Sequence, residues 1–412
     1  MVGNGKGGLI IVVAAGLFLL ASGEIVAQND QNLTQPSAVA DDIRGIREEI
    51  SKIRRRFDRE MMAIERRLKD LESPRVEPAA VSEKAEHAAA TTVCREGCQF
   101  SDLNAAIEAA ESGGTVTVAP GLHGSCGVIQ KPIRLIGLKG PSNKRAHLAG
   151  GVCWGKGALV VAASDVLIEG FEISNVTVAD RNGACIRIDP GAGDVVIRDL
   201  YCHDSENGIL GGPKRGTLIV ENSTFERNGA DHGQAHGLYI SQGDTFILRN
   251  SRILSTKGQG HSLKSGARRT IVEDSVIAAL DGANSRAVDA YGGGEVVIRR
   301  SVIQQGANSD NHDAIGIALE AGRINPEPHS TIVENNWFIF DDLSRCCRVL
   351  FRAKRFGPFT LRGNKIVAMT EIAAPPLDLK ETENQYYSDR THANLPVYDG
   401  TVASLPKPGP SP

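Results

Sequence analysis

From Val166 to Ile366 one pattern of apolar and polar positions returns eight times: VLIEGFEI, VVIRDLYC, LIVENSTF, FILRNSRI, TIVEDSVI, VVIRRSVI, TIVENNWF and FTLRGNKI. Each unit holds two short, largely β-branched runs on either side of one turn residue. The units end at Ile173, Cys202, Phe225, Ile253, Ile277, Ile303, Phe338 and Ile366, so their spacings are 29, 23, 28, 24, 26, 35 and 28 residues. A period in this range belongs to stacked repeat architectures. No helical pattern of 10–15 residues separates the units, which excludes leucine-rich and βαβ arrangements and predicts the coils of a parallel β-helix. Residues 93–370 then form one all-β solenoid of about nine coils.

The turn residues agree. They are Gly170, Asp199, Asn222, Asn250, Asp274, Arg300, Asn335 and Gly363. Seven of the eight are Gly, Asn or Asp, the types that enter a left-handed backbone at least cost, so each unit is expected to bend there. Stacking would set such side chains in a ladder. With these features the chain resembles the right-handed parallel β-helix superfamily of pectate lyases, polygalacturonases and alginate C5-epimerases. The stretch FSDLNAAIEAAESGGTVTVAPGLHG (100–124) is similar to that group's N-terminal cap, a short helix followed by the first strand.

Alternation within a strand sends successive side chains to opposite faces. Ile186 and Ile188, Leu238 and Ile240, Val288 and Ala290, and Ile315 and Ile317 take the inside. The residues between them point outward as one column: Arg187, Leu210, Tyr239, Lys264, Asp289 and Gly316. Tyr239, Lys264 and Asp289 lie 25 and 25 residues apart, and so do His236, His261 and Arg286 in the row three positions earlier, which continues to Asp313. Two positions later the same coils carry Ser241, Gly266 and Tyr291. Coils stack about 4.8 Å apart, so three of them gather this chemistry within roughly 10 Å.

The predicted patch suits removal of the C5 proton of a uronic acid. That proton is weakly acidic, so the adjacent carboxylate must be neutralised and the developing enediolate stabilised. Arg286 and Lys264 would neutralise it, with Arg187, Tyr291 and Asp313 as further substrate contacts. His236 or His261 is the expected base, since free imidazole titrates near neutrality. Tyr239 is the expected proton donor, its phenol acidified by Lys264, and Asp289 would orient Lys264 or Arg286 or hold a sugar hydroxyl. These residue types match the sets that the resemblance implies for lyase- and epimerase-type members. The D-P-H-D motif of the epimerases is absent, and DHGQAHG (231–237) departs from it.

Other readings compete. The polygalacturonase-like members that the chain resembles need three clustered aspartates, whereas the column region offers Asp289 and Asp313, with Asp231 and Asp281 on loops. No metal is required. A calcium-assisted lyase would draw on Asp289, Asp313 and Asp310. The plainest alternative is structural, a Lys264–Asp289 ion pair and two stacked histidines. A non-catalytic fibre that grips a glycan in its groove fits as well.

The ends complete the organisation. Lys6 and the apolar run Leu9 to Ala21, before Ile25-Val26-Ala27, read as a signal peptide or retained anchor over 1–27, so the body is expected to be secreted, periplasmic or displayed on the cell surface. Ile43, Ile46, Ile50, Ile53, Phe57, Met61, Ile64, Leu68 and Leu71 form a heptad seam over 41–73, predicting a trimeric or dimeric coiled coil; a linker over 74–92 follows. Eight cysteines permit disulfides in such a compartment: Cys94 and Cys98 bracket the start of the domain, Cys126 with Cys153 would tie the cap to the first coils, Cys185 reads as a disulfide or core-edge residue, and connectivity does not follow from the sequence. A net charge of −3 points to no nucleic-acid partner, and an acidic polysaccharide would be met by local basic groups. Residues 371–412 read as a tail.

Overall fold

The structure, a computed structural model, describes residues 91–230, 233–342, 347–354 and 357–409. The expected signal segment, the coiled coil, the linker up to residue 90, and Asp231, His232 and Cys346 lie outside these residues. Within them the chain winds into a parallel β-solenoid with three faces, sheets of 12, 11 and 10 strands. That is about two coils more than the nine expected. The chain adds strands before Val166, and the last coil is built from Glu371–Ala373, Leu379–Thr382 and Gln385–Tyr387. Residues 371–387 are therefore a coil rather than a tail.

Each coil places its first run in the 12-stranded sheet and its second in the 11-stranded sheet. All eight predicted turn residues between the two have positive φ, from 47° at Asn250 to 83° at Gly170. Arg300, the one type that does not favour this conformation, reaches φ 50° while its guanidinium clasps Asp274 at 2.8 and 2.6 Å. The left-handed turn carries the next side chain into the core, where a polar group needs a partner. It finds one in the neighbouring coil. The backbone N–H of Ser223 donates to Ser251 Oγ, that of Ser251 to Ser275 Oγ and that of Ser275 to Ser301 Oγ, each at 3.1 Å. Ser301 then donates to Asn336 Oδ1, and Asn336 to Asn364 Oδ1. The ladder thus runs through the residue after the turn.

The rest of the core is mostly apolar, with Phe171, Phe225, Phe246, Phe338 and Phe351 fully buried. The helix Leu103–Ala109 closes the N-terminal end, as 100–124 predicts. Asp102 caps it by accepting the Ala105 N–H at 2.9 Å, and Leu103, Ala106 and Ile107 are buried. Disulfides join Cys94 to Cys98, Cys126 to Cys153, and Cys185 to Cys202 inside the solenoid.

The 10-stranded sheet is the third face. It is entered and left through loops of unequal length, which is why the repeat spacing varies between 23 and 35 residues. Loops of that kind stand over the sheet they flank and are where functional groups concentrate.

Candidate active site

The third sheet holds the predicted column in register. Arg187 pairs with Leu210, Leu210 with Tyr239, Tyr239 with Lys264, Lys264 with Asp289, and Asp289 with Gly316. The next member is Arg352, opposite Gly316. Sequence reading missed Arg352, although the alternation in VLFRA places it between inward Phe351 and Ala353. Arg187 stands at the other end, two strands from Tyr239 with Leu210 between them, so it lies outside the cluster.

The row three residues earlier is a hydrogen-bonded ladder rather than an exposed edge. Asn207 Oδ1 accepts the His236 N–H at 2.9 Å, His236 Nδ1 accepts the His261 N–H at 3.0 Å, and His261 Nδ1 accepts the Arg286 N–H at 3.1 Å. The two imidazoles stack with centroids 5.4 Å apart and 9° between planes. Each Nδ1 presents its lone pair to a backbone donor, so the ring proton sits on Nε2. Burial, with Lys264 nearby, pushes His236 down to about 3. His261 is held well below the usual imidazole range by burial and by His236, Arg286 and Lys264. Two neutral rings with protonated Nε2 atoms have no free lone pair for a substrate proton. This corrects the assignment of the base to a histidine.

His261 Nε2 instead faces Asp289 Oδ2 at 3.2 Å. Asp289 is 2 % exposed, and its Oδ1 is buried without a hydrogen-bond partner among the described residues. Burial outweighs the pull of Arg286 and Lys264 and raises its carboxyl to about 6. The space around Oδ1 is kept by Gly316, whose Cβ would stand 2.5 Å from it. Asp289 therefore orients His261, and does not pair with Lys264 or Arg286 as expected. Arg286 binds Asp313, which Arg352 also reaches at 3.2 Å. Asp313 is 1 % exposed and holds two cations in place, a role that leaves it unavailable as a substrate contact or a calcium ligand.

Tyr291 differs from its expected role in the same way. It is 3 % exposed, lies back across Gly266, and donates to the Ser241 carbonyl at 2.6 Å. A Cβ on Gly266 would stand 2.1 Å from the Tyr291 hydroxyl, so glycine is required under the ring. Burial, reinforced by neighbouring Tyr239, holds the Tyr291 phenol well above the ordinary tyrosine range. Tyr291 is a wall, not a platform for a sugar.

Two groups near Tyr239 come from a loop that no periodicity reveals. After the strand Asp313–Ile317 the chain turns back over earlier coils, where Glu320 N–H donates to Tyr291 O (3.3 Å) and Asn325 Nδ2 to Ala267 O (3.0 Å). This brings Arg323 Nη1 within 2.9 Å of Tyr239 Oη, and Glu320 Oε1 within 2.7 Å of Lys264 Nζ. Lys264 Nζ also lies 5.2 Å from the centroids of both the Tyr239 and Tyr291 rings. The Lys264–Asp289 pair of the structural reading is thereby replaced by Lys264–Glu320. At the surface stand Tyr239, Lys264 and Arg323, backed by the His236–His261–Asp289 chain; Arg352, with Arg286 and Asp313, lies farther along the column.

Comparison with a family model agrees with the fold over part of the chain. A family model described as "Right handed beta helix region" matches residues 151–302. Among solved structures, an alginate lyase from Paenibacillus sp. str. FPU-7 is similar over 69 % of this chain and 96 % of its own, at 18 % identity and TM-score 0.46. A pectin methylesterase in complex with a hexasaccharide aligns over 78 % and 95 %, at 11 % identity and TM-score 0.37. ORF18 of Geobacillus virus E2 aligns over 69 % and 56 %, at 13 % identity and TM-score 0.35. No curated protein matches by sequence.

Proposed function

We propose that this right-handed parallel β-helix acts on an acidic polysaccharide by abstracting the C5 proton of a uronic acid residue, in the manner of a lyase or a C5-epimerase. The observation that carries this reading is the phenol of Tyr239, held at 2.9 Å by the Arg323 guanidinium beside an ammonium that already grips a carboxylate. The donated N–H fixes the direction in which the phenol oxygen points its remaining lone pair. We take Tyr239 as the base in place of either histidine, and Lys264 as the group that receives the uronate carboxylate. Glu320 marks where that carboxylate binds on Lys264, and the substrate displaces it.

The reaction balances on this set. Tyr239 phenolate takes the C5 proton while cations hold the carboxylate and stabilise the enediolate. The electron pair left on C5 becomes the C4–C5 double bond as the C4–O4 bond breaks, and the proton on Tyr239 passes to the departing O4. Epimerisation would instead return a proton to C5 from the opposite face. His261 and Asp289 do not touch the substrate in this scheme; they stiffen the strand that presents Lys264.

The test is incubation with polymannuronate, polyguluronate and polygalacturonate. Ultraviolet absorbance from a new C=C bond marks a lyase, and solvent deuterium at C5 without cleavage marks an epimerase. Tyr239→Phe should lower the rate about 10²–10⁴-fold, the usual worth of a positioned acid–base group. Arg323→Ala should lower kcat, because the phenol loses the hydrogen bond that positions it. If no uronan is altered, and if glycan binding survives in Tyr239→Phe and Lys264→Ala, the protein is a binder and the catalytic reading fails.

A further inference from the structure

A second cluster sits on a different sheet and takes no part in the chemistry above. On the 11-stranded face, His147, Glu172 and His203 come from three successive strands, Ala146–Ala149, Phe171–Ser174 and Tyr201–His203. His147 lies directly opposite Glu172, and His203 lies opposite Ser174, two residues along from Glu172. One donor atom from each of the three lies within 4.8 Å of the other two. Glu172 Oε1 is the hub, 3.5 Å from His147 Nδ1 and 3.3 Å from His203 Nε2.

The outer hydrogen bonds decide which atoms face inward. Asp204 Oδ2 lies 2.8 Å from His203 Nδ1, and Arg227 holds the same carboxylate through Nε at 3.0 Å and Nη2 at 2.9 Å. A carboxylate fixed in this way keeps the proton on Nδ1 and leaves the Nε2 lone pair directed at Glu172. His147 is anchored on its far side by Ser174 Oγ at 2.8 Å from Nε2, which leaves Nδ1 as the inward atom. Two ring nitrogens and a carboxylate oxygen therefore converge on one point, at the spacing of ligands around a small cation.

The spacing suits a metal. Zinc takes imidazole nitrogen and carboxylate oxygen at about 2.0–2.2 Å, which sets neighbouring donors of a tetrahedron roughly 3.4 Å apart. Two imidazoles and one carboxylate favour a first-row divalent cation over calcium, which takes six to eight oxygens. The Asp204–His203 contact is the outer-shell carboxylate that metal-bound histidines usually carry. We propose that His147, Glu172 and His203 form a zinc-class divalent cation site, with the fourth tetrahedral position open to solvent, that clamps three successive coils of the solenoid.

The test is zinc titration of the full chain by calorimetry, with cobalt absorption as an independent view of coordination geometry. Wild type should bind one Zn²⁺ through this site, with tetrahedral visible bands when loaded with Co²⁺. His147→Ala, His203→Ala and the isosteric Glu172→Gln should each weaken binding about 100-fold or more, and Asp204→Asn about 10–100-fold. His392→Ala, an exposed histidine far along the chain, should leave it unchanged. Circular dichroism of each variant separates lost binding from lost fold, and Glu172→Gln decides the outcome if a histidine variant misfolds. Absence of zinc binding by wild type, or binding that survives unweakened in folded Glu172→Gln, overturns the proposal.

Discussion

His236 shows how far one residue's environment can move its chemistry. Its Nδ1 serves as the acceptor that Asn207 Oδ1 provides one coil earlier. An asparagine at 236 would continue that ladder, so His236→Asn should fold with little loss. The imidazole and the amide differ in their response to pH. Unfolded histidine titrates near 6.5, while folded His236 does so at about 3 and folded His261 also well below its ordinary value. As pH falls below about 6.5, the unfolded chain binds protons that these folded imidazoles refuse, so their share of stability, complete above that pH, drains away. Asp289, raised to about 6, works in the opposite sense and loses stability as pH rises between about 4 and 6. Two imidazoles against one carboxyl leave a net loss on acidification, each group contributing up to about 1.4 kcal/mol per pH unit. Unfolding midpoints measured from pH 7 to 4 should therefore flatten in His236→Asn; an unchanged slope would remove His236 from this account.

At the scale of elements, the strands and turns were legible in the sequence and the overhanging loop was not. A strand announces itself by alternation, and stacking in register then fixes neighbours, so Tyr239, Lys264 and Asp289 met as their spacing predicts. Side-chain partners followed different rules. Lys264 chose Glu320 and Arg286 chose Asp313, because flexible cations settle on whichever carboxylate the loops supply. Ala321–Arg323 is a single 3₁₀ turn without period, and nothing local relates Arg323 to a tyrosine 84 residues earlier. Two predictions belong here. Glu320→Gln should free Lys264 and lower KM for a uronan by up to about fivefold, the worth of a partly exposed ion pair, with kcat unaffected. Ser275→Ala removes the acceptor of the Ser251 N–H inside the core, and the orphaned donor should cost about 1–3 kcal/mol in urea unfolding.

For the whole molecule, the two ends of the described solenoid are finished differently. The helix Leu103–Ala109 seals one end. From the other end the chain returns along the outside after Tyr387, where Arg390 meets Asp341 through Nε at 2.6 Å and Nη2 at 2.7 Å, and Gly409 N–H donates to Arg300 O. Both members of the Arg390–Asp341 pair are largely buried, so Arg390→Ala leaves a carboxylate without its partner and should cost about 3–5 kcal/mol. Limited proteolysis should then cut between 388 and 409 well before the coils, a result that a rigid tail would not give.

The reach of Arg323 back to Tyr239 also sets a schedule. A solenoid extends from its N-terminal end as the chain emerges, since each coil needs only the one before it. By the time the strand Val288–Ala290 is laid down, the tyrosine, lysine and aspartate of the column are all in place. The guanidinium that grips the tyrosine hydroxyl arrives only later, from beyond the strand Asp313–Ile317. A growing or prematurely ended chain therefore carries the column without this guanidinium, and the Tyr239–Arg323 contact forms only with the overhanging loop.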